Sequence, residues 1–90
     1  MNGNPKAADT SGDRLKALFL SGIAGHSSDY AEFLRGLAAV IRRIVRQKIV
    51  DSDAEDVVQE VLISVHKARH TYDGARSLMP WVYSLSLIHI

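Results

Sequence analysis

Few side chains in these 90 residues stand at spacings that could do chemistry. His66 and His70, in "SVHKARH", lie four apart, which on a helix would bring two imidazoles to one side and could hold a metal ion. No glutamate stands between them in the HExxH manner and no third ligand is suggested. Two solvent-facing histidines are the simpler reading, and a metal-dependent hydrolase the weaker one. Asp51, Asp53, Glu55 and Asp56 crowd together but lack the glycine and the oxygen spacing of a calcium loop. Negative charge at a helix start accounts for them. There are no cysteines, which removes disulfides and thiolate metal sites and fits a reducing compartment. With no glycine-rich phosphate loop and no nucleophile beside a base, neither an active site nor a cofactor is expected.

The chain that must position any site is short enough for one small domain. An apolar fraction of 47% with 23% charged residues describes a folded chain rather than a disordered one. The net charge of +1 carries no electrostatic footprint of a nucleic-acid binder. No secretory signal is visible in "MNGNPKAADTSGD", and no stretch approaches the roughly 18 apolar residues of a membrane span. A cytoplasmic location is expected.

The apolar spacing predicts an all-α bundle of three to four helices. Residues 1–11 read as a disordered polar leader, residues 12–84 as the helical domain, and residues 85–90 as an anomalous apolar tail. The first helix, about Asp13 to Ile23, places Leu15, Leu18, Phe19 and Ile23 on one side. Gly25 suits a left-handed C-cap, and Ser28 or Asp29 can cap the next helix. That helix, about Asp29 to Lys48, carries Tyr30, Phe33, Leu34, Leu37, Ile41, Ile44 and Val45 at helical spacing. Its other side holds Arg35, Arg42 and Arg46, with Arg43 nearby. Basic residues there complement the helix dipole; a surface for an acidic partner is the alternative.

Ser52 and Glu55 have the spacing of a capping box at the start of a third helix, which Gly74 would terminate. A fourth helix begins near Pro80, a residue suited to a first turn, and runs through Trp81, Val82 and Tyr83. On the third helix Val57, Val58, Val61, Leu62, Val65, Ala68 and Tyr72 gather as a core stripe. Val57, Val61, Leu62 and Val65 are expected to be buried together with Leu37, Ile41 and Trp81. Asp56, Gln59, Ile63, His66 and His70 face the other way, flanked by Glu60 and Lys67. An exposed isoleucine alone is ordinary. An isoleucine ringed by a glutamine and two carboxylates has the make-up of a binding patch, an apolar centre with a polar rim.

The stretch "DAEDVVQEVLISVHKARHTYDGARSLMPWVY" resembles conserved region two of bacterial sigma-70 family factors, in particular their extracytoplasmic-function branch. The shared pattern is Asp53, Asp56, Val57, Val58, Gln59 and Glu60, then Tyr72, Asp73 and Arg76, then Pro80, Trp81, Val82 and Tyr83. The resemblance covers about Asp29 to Tyr83, the second helix looking like the preceding subregion. It implies a non-catalytic transcription initiation factor whose third helix docks on the beta-prime clamp helices of core RNA polymerase. Asp56, Gln59, Glu60, Ile63 and His66 would form that docking face.

After Tyr83 the resemblance calls for a pattern like Ile-Ala-Arg-Asn and a basic promoter-reading helix, followed by a helix-turn-helix domain. Here the chain reads "SLSLIHI", without a Lys or Arg to make phosphate contacts, and Ser77 stands where many relatives have proline. A truncated or frame-shifted product is therefore expected, with promoter DNA a partner only of a full-length parent. An anti-sigma factor is a further partner that the resemblance implies. The alternative is a free-standing helical interaction or DNA-binding domain sharing only the bundle, which would need a basic recognition helix.

Overall fold

A computed structural model describes residues 6–49 and 51–85, with side chains described for 12–49 and 53–85. It places α1 at Lys6–Ile23, α2 at Ser27–Val45, α3 at Asp51–Lys67 and α4 at Leu78–Leu85, with a 3-10 turn at Arg69–Thr71 before α4. No strand occurs among the described residues, so the fold is all-α as the spacing predicts.

Helices α1 and α2 form an antiparallel hairpin. Gly25 turns the chain between them with φ +119°, a backbone conformation that glycine adopts without steric cost. Close approach of the pair depends on a second glycine. A Cβ on Gly22 would lie 2.6 Å from Tyr30 Cβ and 2.8 Å from Tyr30 Cα, too near for any side chain. Farther along, Leu15 packs over Gly36, and Arg14 forms an ion pair with Glu32. Helix α3 lies against α2, and α4 closes over α1 and α3.

Each helix contributes residues one turn apart to a single core. Leu15 and Phe19 enter from α1; Phe33, Leu37, Ile41 and Val45 from α2; Ala54, Val58, Val61 and Val65 from α3; Leu78 and Val82 from α4. No polar or charged residue is buried among the described ones. Phe19 is the hub of an aromatic cluster, its ring centroid 4.6 Å from Phe33 and 5.5 Å from both Tyr72 and Trp81. Val61, Val65, Leu37 and Ile41 are buried as expected, whereas Val57, Leu62 and Trp81 are only half-buried at the edge of the core.

Helix ends depart from the sequence expectations more than helix faces do. Helix α1 starts at Lys6, within the stretch expected to be a disordered leader, while residues 1–5 lie outside the described residues. Helix α2 is preceded by His26 without a side-chain cap; Ser28 and Asp29 fall inside it. Asp29 instead accepts a hydrogen bond from Ser21 Oγ at 2.6 Å, tying α2 to α1. The same helix stops at Val45, short of Lys48. Helix α3 ends at Lys67 rather than at Gly74. Arg69 Nη1 donates to the His66 carbonyl in the last turn of α3 at 2.7 Å, and Thr71 Oγ1 donates to the carbonyl of Ala68, just past its end, at 2.7 Å. Helix α4 starts at Leu78, so Pro80 sits in the first turn, where its missing N–H leaves no intrahelical bond unmade. Leu85, the first residue of the expected apolar tail, is the last residue of α4 and packs against the core, while 86–90 lie outside the described residues. Among the described residues no helix is long and apolar enough to cross a membrane.

Candidate protein-docking face

Helix α3 turns Ala54, Val58, Val61 and Val65 into the core, and the complement of that stripe is its outward face. Asp56, Gln59, Glu60 and Ile63 are all exposed on it. Ile63 is 52% exposed, against 37–39% for Leu20, Ile49 and Tyr83, the other exposed large apolar side chains described. A single protruding apolar group with a glutamine and two carboxylates around it is available for contact without any rearrangement of the core.

His66, at the end of this face, is held in place from across the helix pair. Its Nδ1 shares a hydrogen bond of 2.7 Å with Tyr30 Oη on α2, and its Nε2 lies 3.4 Å from Arg69 Nη1. Burial pushes the Tyr30 hydroxyl above its ordinary pKa, opposed by the nearby Arg69 charge, so Tyr30 stays a neutral hydrogen-bonding partner. His66 is thus a fixed rim residue on the seam between α2 and α3.

The same seam carries the Arg42–Glu55 pair. Arg42 Nε and Nη2 both donate to the Glu55 carboxylate, the second at 3.1 Å. These hydrogen bonds hold Glu55 below the ordinary glutamate value against the opposing effect of desolvation, helped by the charges of Arg42 and Arg46. Glu55 therefore bridges to α2, while the Ser52 side chain of the expected capping box lies outside those described. Arg42, expected on an outward basic face, has a structural partner; Arg35 and Arg43 are exposed.

His70 is also exposed, but it belongs to the 3-10 turn. Because α3 stops at Lys67, His66 and His70 do not lie on successive turns of one helix, although both line one notch. Among the described residues no group of three or more His, Cys, Asp or Glu side chains could hold a metal ion.

The Tyr72–Arg76 turn has a structural role that spacing did not disclose. Tyr72 Oη donates to the Arg76 carbonyl, and Asp73 Oδ1 accepts from Ala75 N–H at 2.9 Å. The Tyr72 and Trp81 rings pack at 5.0 Å, so this turn fixes the start of α4 against the core. Tyr30 and Arg69 are the neighbours of the outward face that sequence reasoning missed. Their contacts to His66 depend on the packing of α2 on α3, which no local spacing reports.

Residues 30–89 match the sigma-70 region 2 family, over half of the chain and including all of α3 and α4. The chain belongs to that family. The match runs through residue 89 and so takes in most of the tail set apart in the sequence. The chain is similar to the ECF RNA polymerase sigma factor SigF of Caulobacter vibrioides, with 37% identity over 75 residues. That alignment covers 81% of this chain and 42% of the relative, so the chain matches about two fifths of the relative's length. No solved structure gives a significant match. Within region 2, the Asp56, Gln59 and Glu60 pattern occupies the solvent side of α3, while the Tyr72, Asp73, Arg76 and Trp81 pattern builds the turn and the helix start beneath it.

Proposed function

We propose that this chain is the polymerase-docking part of a sigma factor, binding core RNA polymerase at the beta-prime clamp helices through Asp56, Gln59, Glu60, Ile63 and His66. The observation that carries the reading is Ile63, protruding from α3 between exposed Gln59 and Glu60 in a chain of the sigma-70 region 2 family. An apolar centre with a polar rim is the arrangement of a protein-binding patch, and such a centre concentrates binding energy. The role is one of contact, not catalysis. Promoter reading would belong to a longer parent, as would recognition by an anti-sigma factor. Base edges supply sequence specificity and phosphate contacts supply much of the affinity for DNA. Among the described residues Arg35 and Arg42 of α2, with Arg46 just past its end, offer phosphate contacts without base readout, so only weak, salt-sensitive association with DNA is expected.

Docking without promoter reading makes the 90-residue chain a competitor of intact sigma factors. Its affinity should fall below theirs, because linked domains raise each other's effective concentration. In vitro transcription with a full-length factor held constant and this chain added in excess tests the reading. Transcription should fall as the chain is added, and the Ile63→Arg variant should not lower it. Promoter-specific initiation by the chain alone, or no inhibition at large excess, would overturn the reading.

A further inference from the structure

A notch opens beside His66, between the α1–α2 turn and the C-terminal end of α3, walled by Ile23, Ser27, Tyr30, His66, Arg69 and His70. We propose that this notch receives a carboxylate side chain of the docking partner, so that the docking surface continues from Ile63 past His66 to Arg69. The inference rests on the proposed polymerase docking and adds the polarity of the contact.

No carboxylate lines the notch among the described residues, and its ionisable walls besides Tyr30 are one guanidinium and two imidazoles. Asp29, in the adjoining first turn of α2, is turned toward Ser21. Arg69 forms no ion pair with any described residue; its Nη1 lies between the carbonyl and the Nε2 of His66, and a guanidinium has five N–H donors. Its contacts to His66 also fix the guanidinium in direction, which lowers the entropy lost when an acceptor arrives. Tyr30 and Ile23 supply an apolar flank that suits the methylene stem of a glutamate or aspartate.

Charge along α3 supports the same occupant. The outward face begins with Asp53, Asp56 and Glu60 and ends with Lys67 and Arg69 just beyond it. A partner helix lying along this face meets negative charge at one end and positive charge at the other. It therefore binds in one direction, with its own acidic side chain at the Arg69 end, and the opposite orientation juxtaposes like charges.

The test is a titration of labelled 90-residue chain with core RNA polymerase at several salt concentrations, comparing the parent, Arg69→Gln and Ile63→Arg. Arg69→Gln keeps a donor for the His66 carbonyl and removes the charge, and its circular-dichroism melt reports whether the fold is kept. The expected result is an affinity about tenfold weaker for Arg69→Gln at low salt, as for loss of a charge-assisted contact. That difference should shrink as salt rises, because exposed charges are screened. Equal affinity of Arg69→Gln and parent at every salt concentration, with Ile63→Arg still weakened, would overturn the notch and leave the docking face intact. A loss for Arg69→Gln that does not change with salt would also overturn it, since that is the signature of a structural role. No binding by the parent would instead remove the docking reading on which the inference rests.

Discussion

The Arg42–Glu55 pair is one place among the described residues where pH reaches the fold. The hydrogen bonds from Arg42 hold the Glu55 carboxylate below the ordinary glutamate value. In the unfolded chain the same carboxyl takes up its proton at a higher pH, so between the two values the unfolded state binds more protons. The bridge therefore stabilises the fold fully above the ordinary glutamate range, and that contribution is lost as pH falls through the lower, folded value. Thermal melts of the chain and of Glu55→Gln should differ at neutral pH, with the parent the more stable. The difference should close once the pH lies below the folded value. A gap that persists in acid would mean that Glu55 acts through something other than its charge. The effect is small, since both partners meet solvent.

Helix packing depends on fewer positions than the length of the interfaces suggests. Gly22 allows α1 to touch the Tyr30 backbone, and even a methyl group there has nowhere to go. Gly22→Ala should destabilise the bundle by about 1–3 kcal/mol through forced separation of α1 and α2, read as a lowered denaturation midpoint. An unchanged midpoint would show that the hairpin is not closely packed at this point. Val61, 2% exposed, makes the complementary case on α3. Val61→Asp would bury an unpaired charge in a domain with only a few kcal/mol to lose, and it should unfold. A cooperative melt at the parent's temperature would mean that the faces of α3 are misassigned. These faces were legible in the sequence because apolar residues recur one turn apart, as at Val58, Val61 and Val65. The ends were not. Where α3 stops, Arg69 and Thr71 donate to the carbonyls of His66 and Ala68, and such side-chain contacts leave no periodic trace. The site divides the same way: Asp56, Gln59, Glu60 and Ile63 follow from being opposite the core, whereas Tyr30 meets His66 from 36 residues away.

At the scale of the whole molecule, four helices among the described residues bury one apolar core and leave the solvent side of α3 unpartnered. The Tyr72–Arg76 turn and the aromatic cluster around Phe19 set α4 against α1 and α3, while the Arg42–Glu55 and Tyr30–His66 contacts lock α2 to α3. The bundle thus presents Asp56, Gln59, Glu60 and Ile63 on a rigid support, which limits the ordering cost of binding. Membership of the sigma-70 region 2 family gives that face its proposed partner. The measurement that bears most directly on this account is a fluorescence-anisotropy titration of the 90-residue chain with core RNA polymerase, run beside Ile63→Arg. The parent should bind saturably, and Ile63→Arg, with its helical circular-dichroism spectrum unchanged, should bind about 2 kcal/mol or roughly 30-fold more weakly, as expected for the centre of an interface. Equal affinities for the folded variant and the parent would contradict the assignment of the α3 face as the docking surface.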